Sequence, residues 1–253
     1  MIILKDLIYL NKDAFKKTTE LLFKNWGLIL TGFIYIAINI ILGVIINTLF
    51  LGVLRILSGI ILALAMASML SNYLYLLQNI IRVERFDIED FKRGFTALLR
   101  KVYSVLLIGW LAGLLYNMIL SPILGSLGSL ITMLIPLSIF ILLNALPESL
   151  YQKYYDPWET IVYAFEFIKE NWLEWFVPNI IFMIILYILS GRLLLNLFSI
   201  NFSFGFNFSL SSIITFIIGQ IAFSFIMIYR GVLFETLSTS TRRKRIYMRD
   251  LYK

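Results

Sequence analysis

Apolar residues fill six stretches of this sequence, and each stretch is close to the length of helix that crosses a bilayer. The stretches predict six transmembrane helices, at residues 26–48, 57–81, 102–120, 127–145, 172–189 and 212–229. About 20 residues of helix are needed to cross the hydrocarbon layer. The first two stretches form one apolar run that is interrupted near Gly52, Arg55 and Gly59. The pattern predicts one polytopic membrane domain over residues 1–253.

A second pattern, typical of amphipathic helices, precedes the first, third and fifth apolar stretches. Its three copies cover residues 11–25, 87–101 and 156–171. In each copy apolar residues recur at i, i+3, i+4 and i+7, which gives a helix one apolar side. Asp87 and Asp156 suit the N-cap position, and Asp90 and Glu159 follow them in the capping-box position. We expect three interfacial helices that lie in the membrane plane on the cytoplasmic side.

The spacing of these elements favours a threefold internal repeat, in which each unit is an interfacial helix followed by a transmembrane hairpin. The first and third units share a Glu, two apolar residues and then an Asn-Trp pair, at Asn25-Trp26 and Asn171-Trp172. Trp26, Tyr103 and Trp172 stand where helix and span meet, and such rings favour the headgroup layer. Alternatively, short cytoplasmic loops are simply built this way. The predicted all-α fold has units at residues 1–81, 82–147 and 148–236 and a basic tail at 237–253.

The distribution of Lys and Arg orients the chain. All of the 22 Lys and Arg residues except Arg55 and Arg192 lie in the N-terminal arm, the connections after the second and fourth spans, and the C-terminal stretch. Cytoplasmic loops carry the excess of Lys and Arg in membrane proteins. We therefore predict a multi-pass protein of the cell membrane with both termini in the cytoplasm.

Composition excludes several kinds of chemistry. Hydrophobic residues make up 60% of the chain and charged residues 15%, more apolar surface than a soluble domain of this length can bury. The sequence has no Cys and no His, which removes thiolate nucleophiles, thiolate metal sites and the usual general base near neutral pH. Known phosphate-loop and nucleophile motifs are also missing. We predict no enzymatic activity, no catalytic residue, no metal site and no cofactor.

Basic residues give the chain a net charge of +7, and four of them cluster in the C-terminal tail. These four are Arg242, Arg243, Lys244 and Arg245. Basic clusters next to a membrane bind anionic lipid headgroups, so we predict lipid or a protein partner as their contact, and no nucleic-acid binding. An intramolecular contact with the acidic stretch at 148–174 ranks lower, because exposed ion pairs contribute little to stability.

Each predicted span carries at least one carboxamide side chain, a group that is costly to leave unpaired in lipid. We select one from each span: Asn39, Gln78, Asn117, Asn144, Asn179 and Gln220. Buried amides in membrane helices usually hydrogen-bond across helices, and they can also line a polar path. We expect these residues to act as interhelical contacts or as polar contacts to a substrate.

Three charged residues, Glu148, Arg230 and Glu235, lie at predicted cytoplasmic ends of spans. We expect them to pair and lock the bundle. A catalytic carboxylate is the weaker alternative, because no convergent acid–base group accompanies them. No Asp, Glu, Lys or Arg falls in the middle of a predicted span, which argues against a proton-coupled pump or a voltage sensor.

Residues 200–211, between the last two spans, alternate between apolar side chains and polar residues or Gly. A period of two predicts an extended strand, or a hairpin about Gly205. Its Phe face would rest on the outer bilayer surface or cap a cavity between the spans. An irregular loop is the alternative.

Two motifs carry a resemblance to known proteins. One is Pro147-Glu148, a short polar linker, and an amphipathic helix that ends in Lys169-Glu170-Asn171-Trp172; the other is the Phe-Lys-Arg-Gly-Phe sequence at 91–95. The chain resembles prokaryotic six-span membrane families of poorly defined function, which include the membrane domain attached to some glycerophosphoryl diester phosphodiesterases. The resemblance implies a membrane module with a lipid-linked or transport-related role, without the phosphodiesterase domain.

These patterns together favour a non-enzymatic membrane protein that handles a small or lipid-like substrate, as a transporter, a channel or a lipid-organising module. The space between hairpins would hold the substrate. One alternative is the permease subunit of an ATP-driven exporter, in which residues 87–101 would couple to an ATPase. Another is an assembly or immunity factor that binds a second membrane protein. A homo-oligomer is compatible with each of these hypotheses.

Overall fold

The computed structural model of the chain describes residues 2–50, 55–193, 196–202 and 209–251. Within these residues the fold is all-helical, as predicted, and it has no strand. The helices are α1 (Ile2–Lys24), α2 (Gly27–Leu49), α3 (Arg55–Arg82), α4 (Ile88–Ala97), α5 (Leu99–Leu115), α6 (Ser121–Leu124), α7 (Ser126–Leu142), α8 (Leu146–Gln152), α9 (Pro157–Ser190), α10 (Leu210–Thr239) and α11 (Arg242–Leu251). A π-helical turn at Tyr116–Leu120 joins α5 to α6.

Five segments of the fold are long and apolar enough to cross a membrane. They are Gly27–Leu49, Leu57–Arg82, Leu99–Leu124, Pro157–Ser190 and Leu210–Thr239. A sixth crossing results if Leu134–Leu142 of α7 and Leu146–Gln152 of α8, which meet at 41°, form one bent span. This helix content is that expected of a multi-pass membrane protein with five or six crossings.

The fourth predicted span, 127–145, matches α7 as far as Leu142, where the chain bends into α8. The side chain of Asn144 donates to the carbonyl of Phe140 at 3.2 Å. A continuing helix would use that carbonyl for a backbone N–H, so the side chain competes with the helix. Pro147, in the first turn of α8, has no N–H to donate. The helix therefore ends at Leu142 and restarts at Leu146.

All three predicted amphipathic stretches are helical, with altered bounds. The first is part of α1, which begins at Ile2. The second is α4, capped as predicted: the N–H of Asp90 donates to Asp87 at 2.8 Å and the N–H of Asp87 donates to Asp90 at 3.1 Å. The third is the first half of α9, which breaks at Asn171.

The second stretch ends earlier than predicted, because a side chain of α3 interrupts the helix. The hydroxyl of Ser71 accepts the N–H of Leu98 at 2.9 Å and donates to the carbonyl of Gly94 at 2.7 Å. α4 therefore ends before Leu98, well short of Tyr103. A Cβ on Gly94 would lie 3.1 Å from the Cα of Asn72, so α3 and α4 pack in close contact.

The matching Asn-Trp pairs of the first and third units adopt matching structures. The side chain of Asn25 donates to the carbonyl of Leu21 at 2.9 Å, and that of Asn171 donates to the carbonyl of Phe167 at 3.1 Å. Each Asn stands at a helix break. The Trp that follows is 63% exposed in the first unit and 60% exposed in the third. Because the second unit breaks at a different position, the threefold repeat stays a prediction.

Buried side chains concentrate at one end of the bundle, which we call the terminal face because α1 and α11, the first and last helices described, meet there. A carboxylate oxygen of Asp6 in α1 lies 3.1 Å from a guanidinium nitrogen of Arg245 in α11. The buried stretch 67–81 of α3 lies towards this end. The opposite end, where α2 ends at Leu49 and α9 ends at Ser190, is the distal face. The helix halves that lead to it keep most of their apolar side chains exposed.

Candidate functional site

A buried ion pair joins α8 to α10 at the terminal face. The Nε of Arg230 donates to one carboxylate oxygen of Glu148 at 2.7 Å, and its Nη2 donates to the other at 3.0 Å. The Glu148 side chain has no exposed surface, and that of Arg230 is 15% exposed. Two parallel N–H···O bonds make such a pair strong and directional. The predicted locking contact therefore forms between these two residues, in a buried place where solvent would not screen it.

Asn144 and Trp175 complete this ion-pair site. The Nη2 of Arg230 also donates to the backbone carbonyl of Asn144, in the turn between α7 and α8, at 2.7 Å. The indole N–H of Trp175 in α9 donates to the side-chain oxygen of Asn144 at 2.9 Å. The guanidinium carbon lies 5.2 Å from the centre of the Trp175 ring, within the range of a cation–π contact. The site thus ties α8, α9 and α10 to the bend after α7.

A cavity of ≈ 80 Å³ lies beside the ion-pair site, between α7, α9 and α10. Its polar lining comes from Asn144, Asn179, Arg230, Asn196 and Ser199. The rest of its wall is apolar and includes Phe182, Met183, Phe223, Ile226 and Met227. Since a buried water needs roughly 10–15 Å³ of such space, the cavity has room for several waters or for one small chemical group. It brings together three of the predicted site residues and two that the sequence analysis did not select.

Residues 196–202, which we call the re-entrant segment, return from the distal face into the bundle and close that side of the cavity. Phe202 is fully buried, and its N–H donates to Oε1 of Gln220 in α10 at 2.9 Å. A Cβ at Gly219 would lie 2.3 Å from the Phe202 ring, so the ring fits only against glycine. A Cβ at Gly32 of α2 would lie 2.3 Å from the Gln220 side-chain nitrogen. Buried backbone N–H groups need hydrogen-bond partners, and Gln220 supplies the partner for that of Phe202.

The strand or hairpin predicted at 200–211 lies largely outside the described residues, which omit 203–208. At its start, Ile200 and Phe202 are buried in irregular backbone. This part agrees with the alternative in which the Phe face caps a cavity between the spans.

Gln78 acts as an interhelical contact and takes no part in the cavity. From α3 it donates to the carbonyl of Tyr151 at 2.6 Å. Arg82 and Lys101 donate to the carbonyls on either side of it at 2.7 and 2.9 Å. These donors satisfy the last carbonyls of α8, and positive charge is favourable at a helix C-terminus. Just beyond α8, burial and then the charge of Arg82 lower the pKa of Lys153.

The remaining predicted residues lie away from the cavity. Asn39 is half-buried and Asn117 is exposed, and neither side chain is hydrogen-bonded within the part of the chain that the structure describes. Glu235 does not join the ion pair of Arg230. It pairs instead with Lys17 of α1 at 3.4 Å, where both side chains are more than a third exposed.

Two of the four basic tail residues make intramolecular ion pairs, which the sequence analysis ranked below lipid contact. The Nε of Arg242 donates to Glu174 at 2.8 Å. Arg245 lies 3.1 Å from Asp6 and 3.7 Å from Glu174. The side chains of Asp6 and Glu174 are 1% and 6% exposed, so the weakness of exposed pairs does not apply here. The two tail residues between these arginines are exposed, and lipid contact stays a prediction for them.

No protein-family model matches the chain, and searches of curated proteins and of solved structures also find no match. The resemblance to six-span membrane families therefore stays a hypothesis. Within the described residues, no three Asp or Glu side chains converge closely enough to hold a metal ion. What the structure offers as a site is the amphipathic cavity, with an ion pair at one end and irregular backbone at the other.

Proposed function

We propose that this protein is a non-enzymatic, multi-pass membrane protein that holds a small or lipid-like molecule in the cavity between α7, α9 and α10. The observation that carries the proposal is the composition of that cavity: the polar groups of Asn144, Asn179 and Arg230 stand in a mainly apolar wall. Ligand sites are typically apolar pockets with a few placed polar groups. A sealed core without a cavity would instead favour the assembly-factor alternative.

The chemistry of the wall favours an amphiphile whose polar end carries no net charge. The positive charge of Arg230 is already matched by Glu148 in a two-bond pair, so the polar end of the cavity is neutral as a whole. Asn179 donates to the carbonyl of Trp175 at 2.7 Å, which leaves its side-chain oxygen as an acceptor for a ligand hydroxyl or amide. The ≈ 80 Å³ of space holds only the polar end of such a molecule and the carbons next to it, which the apolar wall suits, since each buried CH₂ contributes about 0.8 kcal/mol.

The proposed location is the cell membrane, with the terminal face in the cytoplasm. Support comes from two independent features. The Lys and Arg bias puts both termini on the cytoplasmic side, and the ion pair between Asp6 and Arg245 brings both terminal helices to one end of the bundle. In this orientation the ion-pair site lies near the inner headgroup layer, and the re-entrant segment lies on the side of the cavity that faces the outside.

Co-purification tests the proposal even though the ligand is unidentified. The wild-type chain and a Met227→Trp variant, in which the larger ring fills the cavity, would be purified from the same membranes in mild detergent. Bound small molecules would be extracted and measured by mass spectrometry. Ile184→Trp is the matched control, because Ile184 lies in α9 with 53% of its surface exposed.

We expect one amphiphile with an uncharged or zwitterionic polar end to accompany the wild type and the Ile184→Trp control, and to be depleted in Met227→Trp. Equal lipid content in all three preparations would contradict the proposal. Enrichment of an anionic lipid in the wild type alone would keep the cavity but overturn the proposed class of ligand.

A further inference from the structure

We infer that the re-entrant segment, residues 196–202, is a plug that closes the cavity on the distal side, and that Gln220 is the residue that holds it shut. This inference deepens the proposed function, on which it rests, by naming how access to the same cavity is controlled. It implies that a ligand enters or leaves through the distal side only when this segment withdraws from α10.

The depth of the segment supports this role. Gln220 lies ten residues into α10, which begins at Leu210, and ten residues of helix span about 15 Å. Phe202 therefore reaches well below the distal end of α10 to meet Gly219 and Gln220. On the way, Asn196 and Ser199 form part of the cavity wall. The segment lies between the cavity and the distal face, as a plug must.

Unpaired polar atoms at the plug's contact with α10 and in the core beside it favour a reversible closure over a permanently packed core. The Nε2 of Gln220 is buried and has no hydrogen-bond partner in the described structure, and the same is true of the Ser224 hydroxyl one turn further along α10 and of the Tyr73 hydroxyl. The Tyr73 ring stacks on Phe223, with centroids 6.1 Å apart. Buried donors without partners destabilise the state that buries them. Of the three residues, Gln220 contacts the plug directly, and water that enters when the plug withdraws would satisfy its Nε2.

Apolar burial and one hydrogen bond stabilise the closed state against the cost of these unpaired atoms. The ring of Phe202 is fully buried and lies 6.3 Å from that of Phe216. Its N–H donates to Gln220. The stabilising contacts of Phe202 and the unpaired Nε2 of Gln220 lie at neighbouring residues. Single substitutions there should therefore shift the balance between the closed and open states.

Cysteine accessibility tests the plug directly, since the chain has no cysteine of its own. Met227→Cys places one thiol on the cavity wall. Vesicles with the distal face outward would be treated with a membrane-impermeant, sulfonate-bearing methanethiosulfonate, and the rate of labelling would be measured. We expect slow labelling with the plug intact, and a rate about tenfold or more higher when Phe202→Ala is added, because the open population increases.

Two further variants make the test specific. Gln220→Leu keeps the side-chain volume and removes the acceptor of the Phe202 N–H. The unpaired Nε2 is removed too, but the Phe202 N–H becomes unpaired in its place, so the closed state loses a hydrogen bond without relief. Labelling should therefore also accelerate, even if Phe202→Ala does not fold. Phe234→Ala is the matched control: Phe234 is fully buried in the same helix, at the terminal face, and its loss should leave the rate unchanged.

The outcomes separate the plug from the proposed function. The plug is overturned if the parent protein is labelled fast, or if the Phe202→Ala, Gln220→Leu and parent proteins are labelled at equal rates. It is also overturned if Phe234→Ala accelerates labelling as well, because the variants would then be loosening the whole bundle. The co-purified amphiphile is measured independently of these rates. If the amphiphile is lost in Met227→Trp but the plug variants do not change the labelling rate, the function stands without the plug. If the amphiphile is not lost but the plug variants accelerate labelling, the plug stands without that function.

Discussion

The ion pair between Glu148 and Arg230 gives the sharpest prediction about stability. Replacing either residue alone leaves a buried charge without its partner, which costs roughly 3–5 kcal/mol in proteins. Glu148→Leu should fall near the lower limit, at about 3 kcal/mol. The reason is that Arg230 would keep the Asn144 carbonyl and the Trp175 ring, and is 15% exposed. Arg230→Met should cost at least as much, because the Glu148 carboxylate is fully buried.

The double variant Glu148→Leu/Arg230→Met distinguishes loss of the pair from loss of packing. With both charges removed, the site holds two apolar side chains of suitable size, and such replacements are often neutral or stabilising. We expect its free energy of unfolding to lie within about 1 kcal/mol of the wild type, apart from the lost bond to Asn144. The resulting coupling energy between the two positions would be about 5 kcal/mol or more, because two single effects of at least about 3 kcal/mol each would become a double effect of at most about 1 kcal/mol.

Reversible unfolding in mixed micelles, titrated with a denaturing detergent and followed by tryptophan fluorescence, measures these differences. Trp175 touches the pair and supplies a local signal. The reasoning is refuted if both single variants unfold within about 1 kcal/mol of the wild type, since the pair would then behave as a solvent-screened one. It is also refuted if the double variant is destabilised by the sum of the two single effects, which would mean zero coupling.

Three further predictions follow from packing, from the tail and from orientation. Gly94→Ala should destabilise the protein by about 1–3 kcal/mol, because its Cβ would meet the backbone of α3. Gly109→Ala, with nothing within 4 Å, should be neutral or stabilising by up to about 1 kcal/mol in the same unfolding assay; equal effects would contradict the contact. Arg245→Gln should speed tryptic cleavage of α11, whereas Arg243→Gln, at an exposed position, should not. In intact cells, an impermeant maleimide should label Arg192→Cys but not Arg243→Cys, and the reverse would invert the proposed orientation.

Much of the fold is predictable because its signals are local. The capping box at Asp87 and the breaks at Asn25 and Asn171 depend on residues within one or two turns, and the structure agrees at each. The early end of α4 is different in kind. It depends on the Ser71 hydroxyl in another helix, and no pattern within residues 87–101 reports that neighbour.

The candidate site was only partly predictable for the same reason. Glu148 and Arg230 could be expected to pair, since both stand at span ends, but their burial depends on how α8 packs after the bend. Trp175 was missed, although a second Trp one turn after Trp172 is a usable signal for an inward-facing ring. The alternating pattern places Phe202 in a strand, and Gln220 stands out only as a carboxamide in an apolar helix. Neither signal reports that Phe202 packs on Gly219 and hydrogen-bonds to Gln220.

The uneven burial of the bundle has a consequence for how this protein depends on its surroundings. Side chains near the terminal face are packed by other parts of the chain, whereas the halves of α2 and α5 that lead to the distal face have few protein neighbours. In the proposed membrane location, acyl chains would supply the dispersion contacts that those halves lack. Bilayer thickness and acyl-chain order would then determine the tertiary structure at the distal face only, and a change of host lipid would alter that face while leaving the terminal face intact.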